Sequence, residues 1–260
     1  MKYNLLSDGE TNHKIKKNMK TEEYYTYSLN FAHSDLSGFN VCPKANKLTE
    51  QENNLKKSNC SSCCVGFNGN ASIFSSVMES RIKKTLSYFL DKKAFYNQLI
   101  IEIEKAIEQS KKQGLKPSFR LNAYSDIRYE KDIIQDAGKN IFDLFPDVDF
   151  YDYTKLINRK VPSNYQLTFS HHNSDFIETT KALENGLNCA IVFEKLPKHI
   201  KVNGKKYTVL DGDKTDLRLD EKINGETVVI GLKFKGSKAK LNDAMAEGFA
   251  IGENNPSLTY

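Results

Sequence analysis

Apolar residues recur along this chain at two spacings, and the switches between them mark out the elements. From Tyr24 to His33 (YYTYSLNFAH), aromatic and apolar residues alternate with small polar ones, the period-two pattern of a strand. The pattern returns at Ser118–Asp126, Val148–Lys155, Tyr165–His172, Asn188–Lys195, Tyr207–Lys214 and Thr227–Gly236, giving seven predicted strands in all. Helical spacing begins at Ala71, with Ile73, Val77, Met78, Ile82, Leu86 and Phe89. A second helix follows Asp91 with Phe95, Leu99, Ile103 and Ile107 on one face, and Gly114 with Pro117 stops it. Two shorter helical patterns lie at Lys131–Phe145 and Asp175–Leu187.

Strands alternating with helices predict right-handed βαβ units and an α/β fold with a parallel sheet. No G-x-G-x-x-G follows any strand. A partial or closed parallel β/α barrel of the TIM-barrel kind is therefore expected ahead of a doubly wound sheet. One domain over residues 23–252 accounts for these elements, with a polar lead-in over 1–22 and a short tail over 253–260.

Composition narrows the class. Hydrophobic residues make up 39% and charged residues 27%, an ordinary soluble balance, and no run reaches the roughly 18 apolar residues of a membrane span. The N-terminus, MKYNLLSDGETNHKIKKNMK, lacks the apolar core of a signal peptide, so a reducing cytoplasm is expected. The net charge of +5, from 38 basic and 33 acidic side chains, is a mild bias that a solubility margin explains as well as nucleic acid does.

The chemistry centres on Val41–Gly69, which holds Cys42, Cys60, Cys63 and Cys64, four of the five cysteines. In a reducing compartment grouped thiols point to a metal or an iron–sulfur cluster before they point to disulfides. Cys60-x2-Cys63 is also half of a zinc knuckle, which would need Cys42 and a distant residue such as His33; plain reduced thiols are the third reading. The fifth cysteine, Cys189, sits in the apolar run NCAIVF and reads as core.

Strand ends supply the remaining candidates. A strand buried on both faces should be nearly all apolar. Here Arg120, Asn122, Ser125 and Asp126 close one run, Tyr151, Asp152, Tyr153 and Lys155 the next, and Ser170, His171 and His172 the next, with Asp211 and Asp213 further on. Asp152, Lys155 and His171 are the candidate catalytic groups, His171 as a general base. Asn122, Ser125, Asp126, Ser170, Asp211 and Asp213 are the candidate cofactor-binding groups, although Asp211-Gly212-Asp213 equally suits a plain turn. Alternation along the strands gathers Arg120, Asn122, Asp126, Tyr151, Asp152, Lys155, Ser170, Asp211 and Asp213 into one expected pocket, with Lys155 offsetting Asp126 or Asp152. The partner is a small molecule on this reading. The alternative is a non-catalytic protein that engages nucleic acid or a host protein, with bases stacking on Tyr151–Tyr153.

Two resemblances follow. A cysteine trio after the first strand of a β/α barrel resembles the radical S-adenosylmethionine enzymes. That resemblance implies a [4Fe–4S] cluster on Cys42, Cys60 and Cys64, with S-adenosylmethionine bound near Asp126. The chain departs from that pattern in the seventeen residues between Cys42 and Cys60 and in the extra Cys63. The chain from Tyr24 to Gly252 also resembles a family of phage-encoded proteins. The matching pieces are DLSGFNVCP, the Cys60-x3-Cys64 motif running into VGFNG, RIKKT, RLNAYSD, FYDYTK, LTFS, LDGDKTDLR and VIGLKFKG. This second resemblance implies a phage origin and a host-cytoplasmic location.

Overall fold

The computed structural model describes residues 3–9, 23–44, 64, 74–172, 175–219 and 221–260. The fold is built on strands β1 (Leu6–Asp8), β2 (Tyr24–Leu29), β3 (Lys116–Arg120), β4 (Asp149–Thr154), β5 (Tyr165–Ser170) and β6 (Cys189–Phe193). The sheet continues with β7 (His199–Val202), β8 (Lys205–Asp211), β9 (Val229–Lys233), β10 (Ala250–Ile251) and β11 (Leu258–Thr259). The helices are α1 (Ser75–Leu90), α2 (Lys92–Lys112), α3 (Ile141–Leu144), α4 (Ile177–Glu184) and α5 (Lys238–Ala246).

Each of the seven predicted strands forms, and they pair in parallel in the order β2-β3-β4-β5-β6-β9-β8. The expected barrel does not. Its closure would require β2 to pair with β8, and both outer edges are taken. The strand β1 pairs antiparallel with β2, and β7 pairs antiparallel with β8 and carries β11 beyond it. Among the described residues the result is an open mixed sheet of eleven strands. The hairpin β7–β8 turns on Asn203 (φ 48°) and Gly204 (φ 78°), two consecutive left-handed residues of the kind a two-residue hairpin demands.

The two long helices form where their pattern predicts. The Asp91 carboxylate caps α2 by accepting from Ala94 N, Lys111 and Lys112 oppose the dipole in its last turn, and Gly114 leaves the helix at φ 70°. The predicted Lys131–Phe145 helix is reduced to the short α3. Ile134 and Lys139 bridge instead, Gly138 takes φ 63°, and the Asn140 side chain restarts the helix by accepting from Phe142 N and Asp143 N. Ile133, an apolar residue of that stretch, is 60% exposed.

Alternation gives the sheet two unlike faces. Tyr25, Tyr27, Leu29, Phe119 and Phe150 pack with α1 and α2 into the larger core, and Tyr27 reaches α2 by donating to Ala106 O. Phe169, Cys189, Ile191, Phe193 and Val229 pack with α4. Each fully buried large side chain contributes about 1.5–3 kcal/mol through lost contact with water. The opposite face carries Thr26, Ser28, Ser118, Arg120, Tyr151 and Thr168, all buried. The segment after β8 folds back over this face, where Asp216 pairs with Arg120 and Arg218 donates to Tyr153 Oη.

Candidate functional site

The carboxyl ends of β3 and β4 are joined by one buried network. Asp152 has no exposed surface; it accepts from Asn122 N at 2.8 Å and from the Tyr165 hydroxyl at 2.9 Å. Burial pushes its carboxyl up to about 7, against the pull of Arg120, the Asn122 amide and Tyr165. Asn122 fixes the following loop by accepting from Ser125 Oγ and Ile127 N. Asp126 accepts from Thr154 Oγ1 at 2.8 Å, Lys155 N at 2.9 Å and Arg159 Nη1 at 2.9 Å. Arg159 also pairs with Glu130 at 2.7 Å. Burial raises the Asp126 pKa, and the Lys155 amide and Arg159 oppose that rise.

A second cluster sits at the end of β5. Lys155 Nζ donates to Ser170 O at 3.2 Å and to Ser170 Oγ at 3.3 Å. His172 Nε2 lies 3.1 Å from Glu178 on α4, and Glu178 in turn pairs with Lys44 at 2.8 Å. His171 is buried against Phe176, with Nδ1 2.7 Å from Thr179 Oγ1. Burial first and the Lys155 charge second lower His171 to about 3 and His172 to about 4, so both imidazoles are neutral at pH 7.

The expected pocket is thus divided. Asn122, Ser125, Asp126 and Asp152 belong to one network, and Lys155 joins it to Ser170 and the histidines. Arg159 pairs with Asp126, with the Lys155 charge also favouring the ionised carboxylate, and the charge nearest Asp152 is Arg120, at 4.0 Å. Asp213 turns toward β9, while Asp211 stays within its own turn. Asp211 accepts from Asp213 N, and Asp213 accepts from Lys233 N and pairs with Lys235 at 2.6 Å. Tyr151 is fully buried, so it cannot stack on a base.

Cys42 lies at the same carboxyl edge. Its Sγ is 3.5 Å from Tyr124 O and half-buried, and Cys64 is also half-buried. Cys60 lies outside the described residues. Among the described residues no three His, Cys, Asp or Glu side chains are grouped to hold a metal ion. The segment holding Cys42 is tied at both ends: Val41 O accepts from Asp126 N at 2.8 Å, and Lys44 reaches Glu178.

The model of the family described as Gene product 88 matches residues 4–249. The chain belongs to that family of phage proteins. No curated protein and no solved structure matches it. Among the described residues of this Gene product 88 family member, no helix is long and apolar enough to cross a membrane.

Sequence reasoning missed Arg159, Glu130, Tyr165 and Arg218. Arg159 and Glu130 lie in segments without periodicity, so nothing local marks them as partners of a strand-end carboxylate. Arg218 had a faint signal in Gly212. A Cβ there would collide with Ile230 and lie 3.0 Å from Arg218 Nη2, which donates to the Gly212 carbonyl at 2.7 Å.

Proposed function

We propose that this phage protein carries a thiolate-held metal centre at the carboxyl edge of its parallel sheet, an iron–sulfur cluster being the form the cysteine pattern favours. The observation that carries this reading is the position of Cys42, whose thiol lies half-buried against the Tyr124 carbonyl. In open α/β sheets this edge is where ligands bind. Soft thiolates in a reducing compartment select zinc or iron–sulfur clusters over hard cations. Bound there, a cluster supplies one-electron chemistry, whereas zinc supplies a structural cross-link.

The chain's own residues prepare the edge. The Asp126 amide fixes Val41, and Lys44 on Glu178 holds the other side of Cys42. Lys155 supplies a cation beside the neutral His172. The test is anaerobic purification with iron, sulfide and zinc analysis of the wild type and of Cys42→Ser. We expect iron and acid-labile sulfide in roughly equal amounts in the wild type, and most of both lost from the variant. Stoichiometric zinc in place of iron would move the centre to the structural-zinc alternative, and absence of both metals would overturn the reading.

A further inference from the structure

We propose that the β7–β8 hairpin binds the phosphate backbone of nucleic acid, without reading its sequence, through Lys201, Lys205 and Lys206. This surface is independent of the metal-centre reading. The first observation is a run of one charge. Residues 195–210, KLPKHIKVNGKKYTVL, hold five lysines and no aspartate or glutamate. Over the whole chain the two signs nearly balance, 38 basic side chains against 33 acidic.

The hairpin then sets those lysines against one another. Ile200, Val202 and Tyr207 are buried on one face, in the core that holds Leu183 of α4. Lys201 and Lys206 are exposed on the other face, where they are direct partners across the antiparallel ladder. Lys205 follows at the turn, also exposed, with Nζ 5.4 Å from the Tyr207 ring centroid. Like charges directly opposite destabilise a strand pair. An edge lysine deters pairing with another chain, but that role does not call for two facing each other.

Nor does a carboxylate relieve them. Among the described residues Lys198, Lys201, Lys205 and Lys206 form no ion pair. Elsewhere on the surface Lys92, Lys93, Lys116 and Lys235 take Asp132, Asp136, Glu23 and Asp213. After burial, Glu184 and Glu226 are among the influences that raise the Tyr207 pKa, and Tyr207 belongs to the packed face.

Exposed ammonium groups without counter-charges attract a polyanion, either nucleic acid or an anionic bilayer. Binding at a membrane surface needs large apolar side chains beside the cations. Residues 195–210 expose none, and beside Lys201 and Lys206 the same face carries His199 and Thr208. Nucleic acid is therefore the occupant. Stacking on bases needs an accessible aromatic ring, and Tyr207, the hairpin's own, is buried. Contact stops at the phosphates, which carry no sequence information directly.

The experiment measures fluorescence anisotropy of a labelled, mixed-sequence DNA duplex titrated with the full-length protein across a salt series. We expect binding at about 50 mM NaCl that weakens with salt, with a log–log slope of about −3 for three phosphates met. Lys206→Glu should weaken binding about tenfold at that salt. It should be at least as stable as wild type in urea, because a carboxylate then faces Lys201. Lys93→Glu makes the same change in net charge on α2, which packs against β2 and β3 at the other end of the sheet. That variant should bind within about twofold of wild type, since distant surface charges are screened. No binding to the duplex, an equal loss in both variants, or unchanged affinity in Lys206→Glu overturns the inference. So does tighter binding to phosphatidylserine vesicles than to the duplex, which assigns the face to a membrane. Should Lys206→Glu not fold, Lys206→Gln takes its place with a salt slope expected to fall by about one, and an unchanged slope overturns the inference.

Discussion

At the scale of single residues, burial sets the chemistry. Asp152 has its folded pKa raised to about 7, so between about pH 4 and pH 7 the folded state holds a proton that the unfolded state has released. Its contribution to stability is therefore fully present at the acid end of that window and falls as pH rises toward 7, by up to about 1.4 kcal/mol per unit. His171 and His172 run the other way: lowered to about 3 and about 4, they favour the folded state above about pH 6.5, and that contribution is lost on acidification. The opposing slopes are separated by Asp152→Asn. Relative to wild type, this variant should lose its share of stability mainly at pH 5 and much less at pH 7, as urea unfolding at the two values would show. A stability difference that does not change with pH would mean that Asp152 is ionised throughout. Aspartate at the end of a strand was legible as unusual in the sequence; that its nearest cation is Arg120 was not, because strand alternation sends the two residues to different faces.

At the scale of elements, local signals worked where the element was local. The α2 boundaries follow from Asp91, Gly114 and Pro117, each acting on neighbouring backbone. The β7–β8 hairpin had an equally local signal in Asn203-Gly204, which the parallel-strand pattern obscured because Tyr207–Lys214 alone was read as the strand. Both turn residues have positive φ, and a β-branched side chain at Gly204 meets the steric penalty of that region. Gly204→Val should lower the unfolding free energy by about 1–2 kcal/mol, and Asn203→Gly should change it little. Equal stability of the valine variant and wild type in chemical denaturation would show that the turn relaxes to another type. The lost Lys131–Phe145 helix teaches the converse: apolar spacing alone does not make a helix where Gly138 and an intervening bridge offer the backbone another path.

At the scale of the whole molecule, the edges of the sheet decide its form. The edge of β2 is covered by β1, and this cover is anchored because the Glu102 carboxylate on α2 accepts from Leu5 N at 2.9 Å and Leu6 N at 2.7 Å while Leu5 is fully buried. Deleting residues 1–9 uncovers the β2 edge, a template for pairing with another chain. The truncated protein should run as larger species than wild type in size-exclusion chromatography with light scattering, increasingly so with concentration. A truncation that stays at the wild-type mass at every concentration would show that β1 does not guard the edge.

The sequence by itself determined the seven parallel strands, the two long helices with the Gly114 stop of α2, and the concentration of polar residues at the strand ends. These are consequences of periodicity and of backbone chemistry within a few residues. Only the tertiary structure decided that the sheet stays open, because closure depends on which strand occupies each outer edge, and β1 and β7 are too short and too polar to announce themselves. It alone brought Arg159 to Asp126 and Arg120 to Asp216, pairs separated by 33 and 96 positions. It also turned Asp213 toward β9, because a turn residue's partner is set by the neighbouring strand in space. A buried charge takes whichever opposite charge the fold carries to it, and that choice is made by distance in space, on which sequence spacing has no hold.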